Sequence, residues 1–401
     1  LYLMSQSRLS LNNGDRWLLP VGVEETLPEE AAQIEKLRRK ALDLLDSWGY
    51  ELVMPPLMEF LDSLLTGVGH GLEIETFKIT DQVSGRMMGV RADMTPQVAR
   101  IDAHYLRTDG ARRLCYFGPV LRTLQDCLGC SRVPLQLGAE LFGVKSSKAD
   151  IEIVELLVDT LHSIGLEGLH VDLGHMGIFQ GLCRAEELDS SAQDRLSLAI
   201  GSRSRDDVAR VCESLRLSSN TTELFVLMTC SSGEVDTLPS LAKRFSSATE
   251  EIRLSIENLA KISSILKKRL SGTRLYYDLA ALKGQSYHNG LVFSVFMPGS
   301  GRAIASGGRY DDIGKVFGRA RAATGFSLDL RTISKHINLP DRKETRTIHA
   351  VYEDDTELFD AVRKLREQGR RVVYRYDEDQ SGNTDEQVSH LLRKDGKWIV
   401  E

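Results

Sequence analysis

Apolar residues recur at Ile34, Leu37, Ala41, Leu44, Leu45 and Trp48, a stripe of about 3.6-residue period that predicts one long amphipathic helix ended by Gly49. Thr26 and Glu29 stand where a capping box would open it. Tyr50 to Met54 is a short apolar-rich run stopped by Pro55 and Pro56, and Phe77 to Thr80 with Arg86 to Val90 predicts a hairpin closed near Ser84 and Gly85. Thr95 as N-cap and Pro96 as first helical position predict a helix through Tyr105. Strands are expected at Arg113 to Gly118 and Leu135 to Phe142, and a second strong helix at Asp150 to Ser163.

Between Arg184 and Arg269 polar and apolar residues mix at helical spacing with few Gly and Pro, which predicts a mostly helical insertion. Strand character returns at Leu275 to Leu279, Leu291 to Phe296 and Ala303 to Ala305, with a turn at Gly299 to Gly301. After a charged linker at Asp341 and Arg342, a β-α-β-α-β pattern is expected from Ile348 to Tyr352, Glu357 to Glu367, Val372 to Tyr374, Glu386 to Arg393 and Trp398 to Val400. The expected organisation is a core in residues 1–184, a helical insertion in 185–270, completion of the core in 271–340 and a small α/β domain in 345–401.

Composition narrows the class without choosing within it. The 401 residues are 42% hydrophobic and 27% charged, the balance of an ordinary globular chain. With 51 Lys and Arg against 57 Asp and Glu, the net charge of −6 offers no global basic field for nucleic acid or an anionic membrane. Six cysteines are too few for a disulfide scaffold, and no apolar run approaches the ~18 residues of a membrane span. The opening stretch lacks the order of a signal peptide, so a cytoplasmic location is expected, with Met4 as the natural start and Leu1 to Leu3 as a remnant before it.

Candidate chemistry is scattered along the chain. Cys127 and Cys130 form a C-x-x-C with no second ligand pair at zinc spacing, so they read as loop thiols and no metal or cofactor is expected. Val372 to Tyr376 followed by Asp377, Glu378, Ser381, Gly382 and Thr384 superficially resembles the loop with which phosphoribosyltransferases hold phosphoribosyl pyrophosphate, but too little chain follows for that domain. Neither a P-loop nor a complete dinucleotide fingerprint occurs.

More informative are separated polar clusters on strand-like segments: Asp93 and Thr95 in RADMTPQ, Arg122 after GPV, Gln136 and Glu140 in QLGAELFG, and Tyr287 with His288 in KGQSYHNG. Singly, each reads as a surface or capping group. Together they hold what an amino-acid pocket requires: carboxylates for an ammonium or ring N–H, a guanidinium for a carboxylate, and aromatic walls.

In this order the clusters resemble the catalytic core of histidyl-tRNA synthetase, from about Leu19 to Ile333. RADMTPQ is similar to the synthetases' Arg-x-Glu-Gly-Thr run, CYFGPVLRT to their motif 2 strand and QLGAELFG to the strand returning from it. KGQSYHNG and SGGRYDDI resemble the two histidine-specific motifs, and ATGFSLDLRT sits where motif 3 belongs. The resemblance puts Asp93, Thr95, Arg122, Gln136, Glu140, Tyr287, His288 and Tyr310 on histidine-binding positions.

The departures matter as much. Leu124 stands where the synthetases carry a motif 2 Glu, Thr332 where motif 3 has its ATP-binding Arg, and Lys283 where a catalytic Arg precedes the Tyr pair. Amino-acid activation needs cations aimed at the triphosphate, so loss of the motif 3 Arg together with the motif 2 Glu argues against adenylate formation. Arg132 and Lys283 remain candidate anion or nucleotide contacts. Thr345 to Glu401 is also much smaller than a synthetase's anticodon-binding domain.

A kept histidine pocket, an eroded ATP site and no anticodon domain form the pattern of the regulatory subunits of ATP phosphoribosyltransferase. That resemblance implies a non-catalytic allosteric protein of histidine biosynthesis, which activates the short-form catalytic subunit and transmits feedback inhibition by L-histidine. It further implies an α+β fold of the class II synthetase type, with an antiparallel sheet flanked by helices. Dimerisation through Trp48 to Pro56, a hetero-octamer with the catalytic subunit, and no tRNA, membrane or cofactor partner follow from the same source. The alternatives are a divergent histidyl-tRNA synthetase or ATP-dependent histidine ligase, and an assembly scaffold with an inherited pocket.

Overall fold

The computed structural model describes residues 17–66, 70–107, 109–125, 129–282, 288–337, 347–376 and 389–401. The chain divides into two compact units, Leu1–Ile337 and Asn338–Glu401.

The first unit is built on a nine-stranded sheet. Its order is Glu51–Val53, Arg112–Pro119, Leu135–Phe142, Ala323–Asp329, Ala305–Arg309, Leu291–Phe296, His170–His175, Arg274–Asp278 and Ser232–Glu234. The sheet is antiparallel through its centre, with two parallel pairings toward its flanks: Glu51–Val53 beside Arg112–Pro119, and His170–His175 beside Arg274–Asp278. A parallel pair needs a long crossover. The chain from Met176 to Arg269 supplies the second one, carrying helices Met176–Ala185, Ser190–Gly201, Arg205–Ser214, Ser219–Thr229, Leu238–Arg244 and Glu250–Arg269. The expected helical segment is thus mainly a crossover between neighbouring strands, and its strand Ser232–Glu234 joins the sheet edge.

Helix Pro28–Ser47 buries Ile34, Leu37, Ala41 and Leu45, each large side chain contributing about 2 kcal/mol of transfer free energy. The capping box is not made. Leu27 is the N-cap with no side-chain cap bond, and Pro28 opens the helix, because its fixed φ and missing N–H suit the first turn. Helix Lys148–Ser163 packs on strands Leu135–Phe142 and Ala323–Asp329, and Pro28–Ser47 packs on that helix. This layering explains why Leu135–Phe142 is buried along nearly its whole length.

Thr95 is the first residue of helix Thr95–Arg100, not its N-cap, and the following turns, Ile101–Leu106, are π-helical. The strand expected at Ala303 to Ala305 runs instead over Ala305–Arg309. Phe77–Thr80 and Met87–Val90 form the expected hairpin, extended to three strands by Met58–Phe60.

The second unit has strand order Val372–Arg375, Ile348–Val351, Ser389–Lys394 and Lys397–Val400, with helix Thr356–Glu367 beside them. The second helix expected there is overturned where described: Ser389–Lys394 is a strand, hairpinned to Lys397–Val400 through Asp395 and Gly396 at φ 50° and 75°. An Asp-Gly turn with both φ positive matches strand twist, and Ser389 and Leu391 bury alternately. Asp377, Glu378, Ser381, Gly382 and Thr384, like Cys127, lie outside the described residues.

Candidate functional site

In the first unit a cavity of about 1130 Å3 is floored by sheet residues including Glu140, Val292, Ser306, Gly307, Gly325 and Ser327. Its walls include Asp93, Thr95, Arg122, His288 and Tyr310. Five separated sequence segments therefore bring six of the candidate residues to one space. Gln136 stands behind the wall: its Nε2 donates to Asp93 Oδ1 at 2.7 Å, and its Oε1 accepts from the Met94 N–H at 2.9 Å. Asp93 Oδ1 also accepts from the Thr95 N–H at 3.0 Å, so the carboxylate is held from two sides.

Glu140 is the most deeply placed acid. Its Oε1 accepts from Tyr116 Oη at 3.0 Å and its Oε2 from Tyr310 Oη. Tyr116 Oη lies 3.1 Å from Thr95 Oγ1; a tyrosine that donates to Glu140 must accept from Thr95, since each hydroxyl has one proton. Burial pushes Glu140 up to about 8, and the nearby Asp93 charge adds to this, while the bonds from Tyr310, Tyr116 and Thr95 pull the other way. Burial therefore favours the protonated carboxyl, and a neighbouring N–H donor or cation favours its ionised form.

Tyr116 was not singled out from sequence. It lies opposite Gly138 on the paired strand, and a Cβ at Gly138 would come 2.4 Å from its hydroxyl. The glycine leaves the ring free to reach diagonally to Glu140, two residues along the same face.

His288 Nδ1 sits 3.2 Å from the Arg309 carbonyl, which only accepts, so Nδ1 carries the proton. Burial pushes this imidazole down to about 4 and keeps it neutral. Its ring stands 6.2 Å from that of Tyr310. Arg309 itself turns away from the cavity into a buried ion pair with Asp150 at 3.0 Å and reaches the carbonyls of Val144 and Ser146, tying the strand end that carries Tyr310 to the helix behind it.

At the cavity wall Arg122 Nε lies 3.9 Å from Glu75 Oε2 and 3.5 Å from the Ala92 carbonyl. Arg132 does not line the cavity: its guanidinium donates to the carbonyls of Arg122 and Val21 and lies over the Phe77 ring. Tyr287 and Lys283 lie outside the described residues. Among the described residues no group of His, Cys, Asp and Glu could hold a metal ion, and no helix is long and apolar enough to cross a membrane.

The cavity brings together a guanidinium, a fixed carboxylate, and a buried acid met by hydroxyls, groups chemically complementary to a small zwitterion. Residues 22–333 match a family model described as Histidyl-tRNA synthetase, and residues 345–401 match one described as ATP phosphoribosyltransferase subunit HisZ C-terminal domain. A protein of Stutzerimonas stutzeri called ATP phosphoribosyltransferase regulatory subunit is 45% identical over 389 residues, 96% of this chain and 98% of that relative.

The chain belongs to the ATP phosphoribosyltransferase regulatory subunit family.

A solved structure from Bacillus halodurans, titled as an ATP phosphoribosyltransferase regulatory subunit/histidyl-tRNA synthetase, is 25% identical with a TM-score of 0.79, covering 92% of this chain and 95% of that one. The histidyl-tRNA synthetase of Nostoc sp. PCC 7120, 19% identical with a TM-score of 0.74 over 92% of this chain and 89% of that one, shares the fold. The class II synthetase-like fold read from the motifs is therefore the observed one, with the parallel flanks noted above.

Membership in a family of regulatory subunits is consistent with how two of the three changed positions are used. Leu124 is 60% exposed, and it offers no charge. Thr332 Oγ1 donates to Asp329 Oδ2 at 2.5 Å, and Asp329 caps the short helix Leu330–Ser334. In this regulatory subunit Thr332 serves a helix start, with no cation at that position to meet a phosphate.

Proposed function

We propose that this chain, a regulatory subunit of ATP phosphoribosyltransferase working with that enzyme's catalytic subunit, binds L-histidine in the cavity around Glu140 and transmits it as feedback inhibition. Arg122 takes the ligand's carboxylate and Asp93, held by Gln136 and Thr95, takes its ammonium. Glu140 with Tyr116 and Tyr310 takes a ring N–H, while His288 and, by resemblance, Tyr287 wall the imidazole. Arg132 and Lys283 belong to any residual anion affinity, outside the histidine contacts.

The observation that carries the reading is the Glu140 carboxyl, buried yet met by two tyrosine hydroxyls beside a second acid. Such a group is costly to keep dry unless a ligand uses it. Histidine regulates only if it binds one state of the complex more tightly, each tenfold of preference corresponding to about 1.4 kcal/mol.

In the same proposal the chain is cytoplasmic and acts on the short-form catalytic subunit within a hetero-octamer. It pairs with its own copy through Trp48 to Pro56, and needs neither tRNA nor a cofactor. The ligase alternative would require the motif 2 acid and the phosphate-directed motif 3 cation at positions now held by Leu124 and Thr332. Titration calorimetry with L-histidine and with histidinol, which lacks the carboxylate, tests the pocket. Binding of histidine that histidinol fails to match supports the Arg122 assignment; absence of heat with either removes the site.

A further inference from the structure

Four aromatic rings of the second unit gather where strands Ile348–Val351 and Val372–Arg375 end. The Tyr352 ring lies 5.5 Å from Tyr374, 5.4 Å from Tyr376 and 6.0 Å from Phe359. The unit's core is formed by Ile348, Ala350, Leu358, Val362, Val372 and Leu391, with Tyr374 partly buried against it. Tyr352 and Tyr376 stay outside, 46% and 56% exposed.

The rim next to these rings carries four carboxylates, Glu353, Asp354, Asp355 and Glu357, against the arginines Arg375 and Arg393. After Ile348–Val351, the helix N-cap Asp355 and Glu357 in the first turn of Thr356–Glu367 are tied to Arg393, whereas Glu353 and Asp354 on the loop are exposed and form no ion pair among the described residues. One ring of the cluster already carries a cation: Arg366 sits over Tyr374 at 5.3 Å. Exposed tyrosines beside unneutralised carboxylates at the carboxyl ends of parallel strands complement a guanidinium or ammonium group, by ring quadrupole and by charge together. Tyrosine and arginine are also the residues most often dominant in interfaces.

We propose that the Tyr352–Tyr376 patch, with Glu353 and Asp354, docks an arginine- or lysine-bearing segment of the catalytic subunit; this rests on the reading of that subunit as the partner.

The test uses the full-length chain and purified catalytic subunit, with assembly followed by sedimentation and by equilibrium titration. Two variants are compared: Tyr352→Ser with Tyr376→Ser, and Glu353→Lys with Asp354→Lys. The second keeps every ring and changes only surface charge, so it does not depend on the first variant folding. Each is expected to weaken assembly by at least about tenfold. Histidine affinity should stay unchanged in both, and Tyr352→Phe with Tyr376→Phe should bind as the wild type does. Either of the two test variants assembling as tightly as wild type overturns the proposal, provided wild type assembles. A wild-type chain that never assembles with the catalytic subunit overturns the functional reading and this docking surface with it.

Discussion

Glu140 and Gly325 lie directly opposite each other on paired strands, and a Cβ at position 325 would come 1.5 Å from Glu140 Oε2. The carboxyl occupies the space where a side chain would be. Even one methyl group here must push the acid off Tyr310 and Tyr116.

Gly325→Ala is therefore expected to weaken histidine binding by at least about 100-fold and to lower stability by about 1–3 kcal/mol through overpacking. Calorimetry and thermal unfolding of the same preparation check both effects. Wild-type affinity in this variant would mean that Glu140 is not a ligand contact.

Glu140→Ala separates sensing from activation. It should abolish histidine sensitivity while leaving activation of the catalytic subunit within about twofold of wild type, because Glu140 is buried and offers almost no surface to a partner. Unchanged histidine affinity in titration calorimetry would sink the assignment.

The same residue gives a signed pH effect. With its folded pKa raised from 4.5 to about 8, Glu140 keeps a proton that the unfolded chain releases, so its contribution is full below pH 4.5 and is lost as pH rises through 8. His175 and His288, pushed by burial from 6.5 to about 4, act oppositely: their contribution is present above 6.5 and lost as pH falls through 4. Glu140→Gln should remove the decline between pH 5 and 8, a difference on the order of a few kcal/mol. Urea unfolding at several pH values reads it, and parallel pH profiles for variant and wild type would contradict it.

Thr332→Arg should not create a ligase. The position serves the Asp329 cap, and Leu124 still leaves motif 2 without its acid. Histidine-dependent ATP–pyrophosphate exchange is expected to stay at background; appearance of exchange would revive the synthetase alternative.

Elements with strong local periodicity were legible from the sequence. The Ile34 to Leu45 stripe and the Leu135–Phe142 strand are apolar runs that the structure buries, and the Phe77 to Val90 hairpin was marked by its turn near Ser84 and Gly85. What local pattern could not show is pairing: His170–His175 and Arg274–Asp278 are parallel neighbours about a hundred residues apart, so the role of the intervening helices as a crossover emerges only in three dimensions. Ser389–Lys394 was misread because a short run with few apolar positions fits either period; Asp395 and Gly396 were the turn signal that should have decided it. Thr26 lost the cap to Leu27 because Pro28 sets the first helical position.

In the site, the individual polar residues were visible through motif order, but Tyr116 looked like one more apolar strand residue. Its register opposite Gly138, which frees space for the phenol, is the feature that marks it.

The most direct test is the rate of phosphoribosyl-ATP formation by a purified short-form catalytic subunit, with and without this chain, across a histidine titration. The expected result is a rate increase that histidine suppresses, with suppression absent in Glu140→Ala. A rate indifferent to the chain, or an increase that histidine leaves untouched, would contradict the regulatory role of this pocket.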